Sequence, residues 1–188
     1  EEGIIRGLYQ LESNSVPGKA KNKALRVQLL GSGAILNEVR AAATMLKDDF
    51  RVGSDVWSVT SFGELARDGH HVERWNRLHP DEKRKTSWVH DSLVKQSGPV
   101  IASTDYIRLQ ADQIRSLVPA PYHILGTDGF GRSDTRERLR SFFEVDRYHV
   151  VVAALNALAE QGEMEHDQVL EAMRRYNIDR NKPDPASS

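Results

Sequence analysis

The sequence contains no cysteine among its 188 residues. It therefore offers no disulfide, no zinc–thiolate site and no thiol nucleophile, a usage consistent with a reducing compartment. It also lacks any apolar run near the ~20 residues needed to span a bilayer, and no segment resembles a signal peptide. We therefore expect a cytoplasmic protein without a membrane partner.

The chain also has almost no excess of one charge over the other, because it contains 26 basic and 27 acidic residues and has a formal net charge of −1. This balance gives no electrostatic reason to expect nucleic acid as a partner. The length suits one domain with a sizeable core. The chain begins Glu-Glu-Gly without a methionine, so we expect it to be part of a longer protein.

The pattern along the chain predicts four segments. Residues 1–12 form a lead-in with one strand, and residues 13–23 form a flexible loop rich in turn formers. Residues 24–182 carry the main domain, and residues 183–188 form a disordered tail. These boundaries rest on composition and periodicity alone.

Short apolar runs alternate with helical patterns in the main domain. Four runs predict buried strands, and a stripe at i+3 and i+4 spacing predicts a helix between Leu36 and Phe50. Further helices are expected at 63–76, 87–95, 148–159 and 168–176, the third apolar nearly all round and preceded by Asp146 as N-cap. The four predicted strands are 27–30, 56–59, 100–102 and 123–125. This alternation favours a mainly parallel sheet with helices on both faces.

The most informative stretch is the glycine-rich loop at 126–134, which follows the last predicted strand. Its three glycines permit positive φ and close approach to a partner, and Asp134 followed by Glu137 is typical of a capping box. Such a corner can face an anion, although a plain connection without a ligand remains an open interpretation. The candidate site residues are Asp128, Gly129, Phe130, Gly131, Arg132, Ser133 and Asp134. Among them, Arg132 is the side chain expected to pair with a carboxylate or phosphate.

Two weaker motifs predict no cofactor site. Gly31-Ser32-Gly33 lacks the third glycine of a dinucleotide fingerprint, because Leu36 occupies that position. Asp128 with Asn156 is only superficially like the magnesium motif of thiamine-diphosphate enzymes. Thr127 replaces its leading glycine and Ala157 its second asparagine, so we assign no metal ligand.

A third group lies in the segment 70–79, which contains three histidines at spacings that suit no common zinc site. Trp75 in this segment predicts an interface, because tryptophan and arginine are favoured in interface cores. The candidate interface residues are Arg74, Trp75 and His79.

Several blocks of the sequence resemble a known family. The segments 27–33, 58–62 and 64–69 resemble the C-terminal domain of transketolase-like enzymes. The segments 73–76, 78–80, 102–106, 126–134 and 143–146 followed by 150–155 are closer still to the homodimeric bacterial pyruvate dehydrogenase decarboxylating family. The resemblance covers nearly the whole chain and excludes only the loop at 13–23.

This resemblance implies a three-layer α/β/α fold with a mixed five-stranded sheet, in which one strand, expected at 7–12, runs antiparallel. It implies a parent enzyme that uses thiamine diphosphate and Mg²⁺ to decarboxylate pyruvate and to acetylate the lipoyl groups of a dihydrolipoyl acetyltransferase. Other domains of such enzymes hold the cofactor, while this one serves assembly of the homodimer and shapes the active-site entrance. None of the family's cofactor motifs maps onto this chain, so the resemblance assigns no catalytic, cofactor-binding or metal residue here and implies that the chain is inactive alone.

The glycine-rich loop is expected near the active-site mouth of the parent dimer and to be mobile in the isolated domain. Two other functions stay open. The chain could be a regulatory module that binds an anion or nucleotide at the 126–134 corner of a larger enzyme. It could also be a free-standing α/β binding protein, which the missing initiator methionine argues against.

Overall fold

The computed structural model describes residues 1–16 and 24–187. From the second strand onward, every two successive strands are connected through at least one helix. The strands are β1 (Leu8–Asn14), β2 (Arg26–Ser32), β3 (Gly53–Val59), β4 (Val100–Ser103) and β5 (Tyr122–Leu125). The helices are α1 (Glu2–Arg6), α2 (Leu36–Phe50), α3 (Phe62–Leu78), α4 (Trp88–Leu93), α5 (Arg108–Asp112), α6 (Arg136–Phe142), α7 (Arg147–Glu160) and α8 (His166–Arg175). No helix in these two ranges is long and apolar enough to cross a membrane.

The five strands form one mixed sheet in the order β1-β3-β2-β4-β5. β1 runs antiparallel to β3, and the other neighbours are parallel. The chain progresses from β2 to β3 in one direction and from β4 to β5 in the other. The sheet therefore has a switch point between the carboxyl ends of β2 and β4, where α/β folds commonly place ligands. The predicted mixed sheet with one antiparallel strand is confirmed.

Two apolar clusters cover the two faces of the sheet. Leu29, Val56 and Ile101 pack in one cluster with α2, α7 and α8. Their chain neighbours Leu30, Trp57 and Ala102 pack in the other, with residues of α3, α4 and α5. Successive side chains of a strand point to opposite faces, so strands buried on both sides must be apolar throughout. That requirement explains the uninterrupted apolar runs of the sequence.

The structure corrects the predicted end of β1, which continues to Asn14 through two residues expected to be loop. A buried carboxylate explains the extension. Asp55 on β3 accepts hydrogen bonds from Gln10 Nε2 at 3.0 Å and Ser13 Oγ at 2.6 Å, and also from Arg26 and Gln28 of β2. These hydrogen bonds to Asp55 keep residues 13 and 14 in the strand, although the apolar pattern that predicted β1 ends at residue 12. The remaining loop prediction at 17–23 lies outside the described residues.

Two other local predictions need revision, and one helix was not anticipated. The N-cap of α6 is Thr135, whose hydroxyl accepts from the backbone N–H of Arg138, whereas Asp134 accepts from the N–H of Thr135. The segment 183–187 forms a 3₁₀ turn at Pro185–Ser187, where we expected disorder. Helix α5 was not predicted, because its five residues are too few to show a period. Asp146 does cap α7 as expected, accepting from the N–H of His149 at 3.0 Å.

Candidate functional site

Two loops meet at the carboxyl edge of the sheet, one after β4 and one after β5. The backbone N–H of Thr127 donates to the Tyr106 carbonyl at 2.9 Å, and the Thr127 hydroxyl donates to the Asp105 carbonyl at 2.8 Å. Gly126 allows this approach, because a Cβ there would lie 2.8 Å from both the Arg108 nitrogen and the Tyr106 oxygen. The start of the glycine-rich loop is therefore fixed against the β4 loop.

An ion pair completes this connection. The carboxylate of Asp128 accepts the backbone N–H of Arg108 at 2.9 Å and also pairs with the Arg108 guanidinium. The hydrogen bond that the Arg108 side chain donates to Asp128 is the main reason that the pKa of Arg108 is raised above its ordinary value. Asp128 is thus engaged in holding two loops together.

The middle of the glycine-rich loop is exposed. Phe130 keeps 81 % of its surface accessible, and a Cβ added at Gly131 would meet no atom within 4 Å. The guanidinium carbon of Arg132 lies 4.1 Å from the ring centroid of Phe142 on α6. Arg132 forms no ion pair with another described residue, so this cation–π contact leaves its N–H groups free for an anionic partner.

A crevice of about 380 Å³ opens between these loops and α6. Ala34 and Ile35 line it from the turn after β2, and Asp105 and Thr127 from the loops after β4 and β5. It therefore lies at the switch point of the sheet. Arg132 and Arg136 are at its charged side, while its apolar wall consists of Leu139, Phe143 and Val145. The chemistry fits a small anion with an apolar part, or an acidic and apolar protein segment.

A buried carboxylate supports the helices behind the crevice. The side chain of Glu38 is only 6 % exposed and accepts from Arg140 Nη1 at 2.8 Å. It also accepts from the backbone N–H and the guanidinium of Arg147, with Nε at 2.8 Å. These bonds, led by the side-chain bond from Arg147, lower the pKa of Glu38 although burial opposes them. The cluster ties α2 to α6 and to the start of α7.

Sequence reasoning missed Glu38. It lies among the residues of the apolar stripe of α2, next to Val39. The available signal was a charged residue on the side of α2 that faces the core. A buried charge must be paired with an opposite charge, so Glu38 predicts an ion pair.

The candidate interface group occupies the end of α3. Trp75 stacks on His79 with ring centroids 4.5 Å apart, and the ammonium of Lys85 lies 3.8 Å from the Trp75 centroid. Arg74 is exposed. No hydrogen bond, ion pair or aromatic contact within residues 1–16 and 24–187 joins this group to the glycine-rich loop. The structure therefore does not combine the two candidate groups into one site.

The residues that superficially resemble a magnesium motif do not fit that role. Asp128 is paired with Arg108, and Asn156 lies within α7, where its amide donates to Glu160 at 2.8 Å. Across the described ranges, no group of three or more potential metal-ligating side chains comes together.

A comparison with protein families adds to this geometry. Residues 7–146 match the model described as the transketolase-like TK C-terminal domain, which is more than half of the chain. The chain belongs to the transketolase C-terminal domain family. This match spans the sheet and the glycine-rich loop and ends at Asp146, the N-cap of α7, so it contains both tied loops of the site.

Three curated relatives of this transketolase C-terminal domain share one description. The pyruvate dehydrogenase E1 component of Pseudomonas aeruginosa is 58 % identical over 186 residues, which is 98 % of this chain and 20 % of that protein. The proteins of the same name from Cupriavidus necator and Escherichia coli K12 are 57 % and 54 % identical over similar spans. The chain spans about one fifth of the length of these relatives.

Solved structures support the fold alone. A transketolase from Leishmania mexicana matches with a TM-score of 0.52 and 20 % identity, over 85 % of this chain and 19 % of that one. A Pichia stipitis transketolase in complex with sedoheptulose-7-phosphate matches with a TM-score of 0.54 and 15 % identity, over 87 % and 19 %. The predicted fold class is therefore confirmed.

Proposed function

We propose that this chain is the C-terminal domain of a thiamine-diphosphate-dependent pyruvate dehydrogenase, the component that decarboxylates pyruvate and acetylates lipoyl groups. The observation that carries the proposal is identity above 50 % over nearly the whole chain with three bacterial proteins named pyruvate dehydrogenase E1 component. In this proposal the partners are the other domains of the same polypeptide, the second subunit of a homodimer, and a cytoplasmic dihydrolipoyl acetyltransferase.

The domain serves assembly and the shape of the active-site entrance, and it is not catalytic by itself. Its contribution comes from the two tied loops at the carboxyl edge of the sheet. These loops and the first turn of α5 expose four large apolar side chains, and an exposed apolar patch is typical of an interaction site. These are Tyr106, Ile107, Leu109 and Phe130, between 52 % and 81 % exposed. Such side chains beside a free arginine have the composition of an interface core.

Thiamine diphosphate and Mg²⁺ are held elsewhere in the parent enzyme. Support for this comes from Asp128, both of whose carboxylate oxygens accept from Arg108, and from Asn156, which lies within α7 with its amide donating to Glu160. No step of the reaction is therefore assigned to a residue of this chain.

The proposal is tested by replacing the matching fifth of the Escherichia coli relative with this chain. The chimaera should convert pyruvate and acetylate lipoyl domain at rates near those of the parent. Arg132→Ala in the chimaera should leave folding intact and slow acetyl transfer about tenfold, near 1.4 kcal/mol, because one charge-assisted contact at the entrance is lost.

Arg138→Ala is the matched control, since the Arg138 side chain is 77 % exposed on α6 and, among the described residues, forms one ion pair, with Asp134 at 3.9 Å. It should change the rate by less than about twofold, as expected for a surface pair. A folded but inactive chimaera would contradict the proposed parentage. Equal rates for Arg132→Ala and the unsubstituted chimaera would reduce the loop to a connector.

A regulatory anion- or nucleotide-binding module remains the second candidate, favoured by the crevice with Arg132 and Arg136. The loop corner itself gives it less support than expected, because α6 has only seven residues and its first turn is capped by Thr135. Equilibrium dialysis against phosphate, nucleotides and acyl-CoA distinguishes the two. Saturable binding that is lost in the Arg132→Ala, Arg136→Ala double variant would favour the module.

A further inference from the structure

The segment Lys182–Ser187 lies across the glycine-rich loop. Gly129 has a φ of +109°, and a Cβ at this residue would collide with the carbonyl oxygen of Pro185. The same Cβ would lie 3.1 Å from the Pro185 carbonyl carbon and 3.2 Å from Cα of Ala186. Gly129 is therefore required twice, once for its backbone conformation and once for this close approach.

Lys182 anchors the beginning of this segment. Its ammonium donates to the carbonyls of Ser141 at 3.0 Å and Phe142 at 2.6 Å, at the C-terminal end of α6, and pairs with Glu144 at 3.2 Å. A cation at this end of a helix satisfies carbonyls that lack intrahelical partners. Lys182 also lies over the ring of Phe142, which contacts Arg132 as well. The segment and the loop thus share one support.

The segment has its own local order beyond Lys182. The carboxylate of Asp184 accepts the N–H of Ala186 at 2.9 Å, and its carbonyl accepts the N–H of Ser187 at 3.0 Å. Asp184 and Pro185 face Arg108 and Asp128 across a small cavity of about 50 Å³. The turn therefore lies beside the ion pair that joins the two loops, and the charge of Asp184 helps to raise the pKa of Arg108.

From these contacts we infer that Lys182–Ser187 is a strap that positions the glycine-rich loop, so that Phe130 and Arg132 are presented in one conformation. Its structural part stands on the contacts alone. Its consequence for acetyl transfer rests on the proposed function. The two parts are therefore tested by separate measurements.

Limited trypsin digestion of the 188-residue chain tests the structural part, because Arg132 is an exposed cleavage site inside the loop. Arg84, in the exposed segment between α3 and α4, serves as the reference site in the same molecule. Deleting residues 183–188 should raise the rate of cleavage after Arg132 about tenfold relative to Arg84, since cleavage follows local opening. An unchanged ratio would overturn the strap.

A matched glycine pair separates the close approach from backbone strain. Gly129→Ala should accelerate cleavage after Arg132, whereas Gly131→Ala should not, because a Cβ at Gly131 meets open space. Each of these two substitutions is also made in the chain that lacks residues 183–188. The effect of Gly129→Ala should shrink there, since only its strain at positive φ remains. An equal effect in both backgrounds would show that Pro185 does not act on Gly129, and would overturn the inference.

The consequence for function is measured in the chimaera. Deleting residues 183–188 should slow acetyl transfer in the same direction as Arg132→Ala, and the two changes should be less than additive, because both act through one side chain. Faster cleavage after Arg132 without a change in acetyl transfer would contradict the proposed role of the loop at the active-site entrance, but it would support the strap. An unchanged rate of cleavage after Arg132 would contradict the strap, whatever rate of acetyl transfer the chimaera shows.

Discussion

Replacing the buried carboxylate of Glu38 by an amide should be among the most damaging polar substitutions in this domain. Four N–H donors from Arg140 and Arg147 converge on its two oxygens at 2.8 to 3.2 Å. Glu38→Gln keeps the shape of the side chain but leaves one acceptor oxygen and turns an NH₂ group toward a guanidinium. Both arginines then lose their counter-charge at a buried position.

The size of the effect follows from burial. Breaking a buried ion pair by removing one partner costs about 3–5 kcal/mol. Arg147 is 42 % exposed and Arg140 22 % exposed, so water recovers part of their solvation. We therefore expect a loss of about 2–3 kcal/mol in the free energy of unfolding. For a domain of this length, that lowers Tm by roughly 5–10 °C.

Glu64→Gln is a closely matched control. Glu38 and Glu64 are each the third residue of their helix, so both gain equally from the helix dipole. Glu64, however, is 41 % exposed and pairs with Arg67 on the surface. Its substitution should cost less than about 1 kcal/mol.

The effect should also depend on pH. The pKa of Glu38 is lowered in the folded state from its ordinary value of 4.5, chiefly by the hydrogen bond from Arg147. A lowered pKa contributes stability that is complete above the unfolded value and is lost as pH falls through the folded value. The difference between the parent chain and Glu38→Gln should therefore be constant from pH 6 to 8 and shrink below about pH 4.5.

Urea unfolding of the three chains at several pH values measures both effects. Equal losses for Glu38→Gln and Glu64→Gln at pH 7 would refute the burial argument. A Glu38→Gln difference that persists unchanged to pH 3 would show that the carboxylate charge is not what stabilises the cluster.

The sequence was sufficient for the sheet and most helices because burial on both faces leaves long apolar signals. The run from Val27 to Leu30 is such a signal, and so is the all-round apolar surface of α7. Elements that are held by polar contacts leave weaker signals in the sequence. β1 continues to Asn14 because of Asp55, which lies 41 residues away in the chain from Asn14, and no local pattern contains that information.

The glycine-rich loop was predictable in its position and not in its contacts. Glycine spacing indicated the loop at 126–134, since close approach requires residues without a Cβ. The partners that approach it are distant in sequence, however. Asp128 meets Arg108, and Gly129 meets Pro185, a residue in a segment whose composition is typical of disorder. Pairings of this kind depend on the tertiary fold, which periodicity does not describe.

Three further predictions address the core, the cofactor and β1. Leu155→Glu places an unpaired charge at a fully buried position of α7 and should cost several kcal/mol in urea unfolding; an unchanged midpoint would place Leu155 at the surface. Calorimetry of this chain with Mg²⁺ and thiamine diphosphate should show no saturable heat, and a Kd below about 100 µM would contradict our interpretation of Asp128 and Asn156. Asp55→Ala should detach the end of β1, because Gln10, Ser13 and Arg26 share that carboxylate. The substitution also leaves one N–H of the buried Gln28 amide without an acceptor, while the other still donates to the Ser97 carbonyl, and this adds about 1–3 kcal/mol. Hydrogen exchange should accelerate in residues 10–14 more than in β4, none of whose residues donates to the Asp55 carboxylate; uniform acceleration in both strands would mean that the network stabilises the whole sheet and does not specifically hold β1.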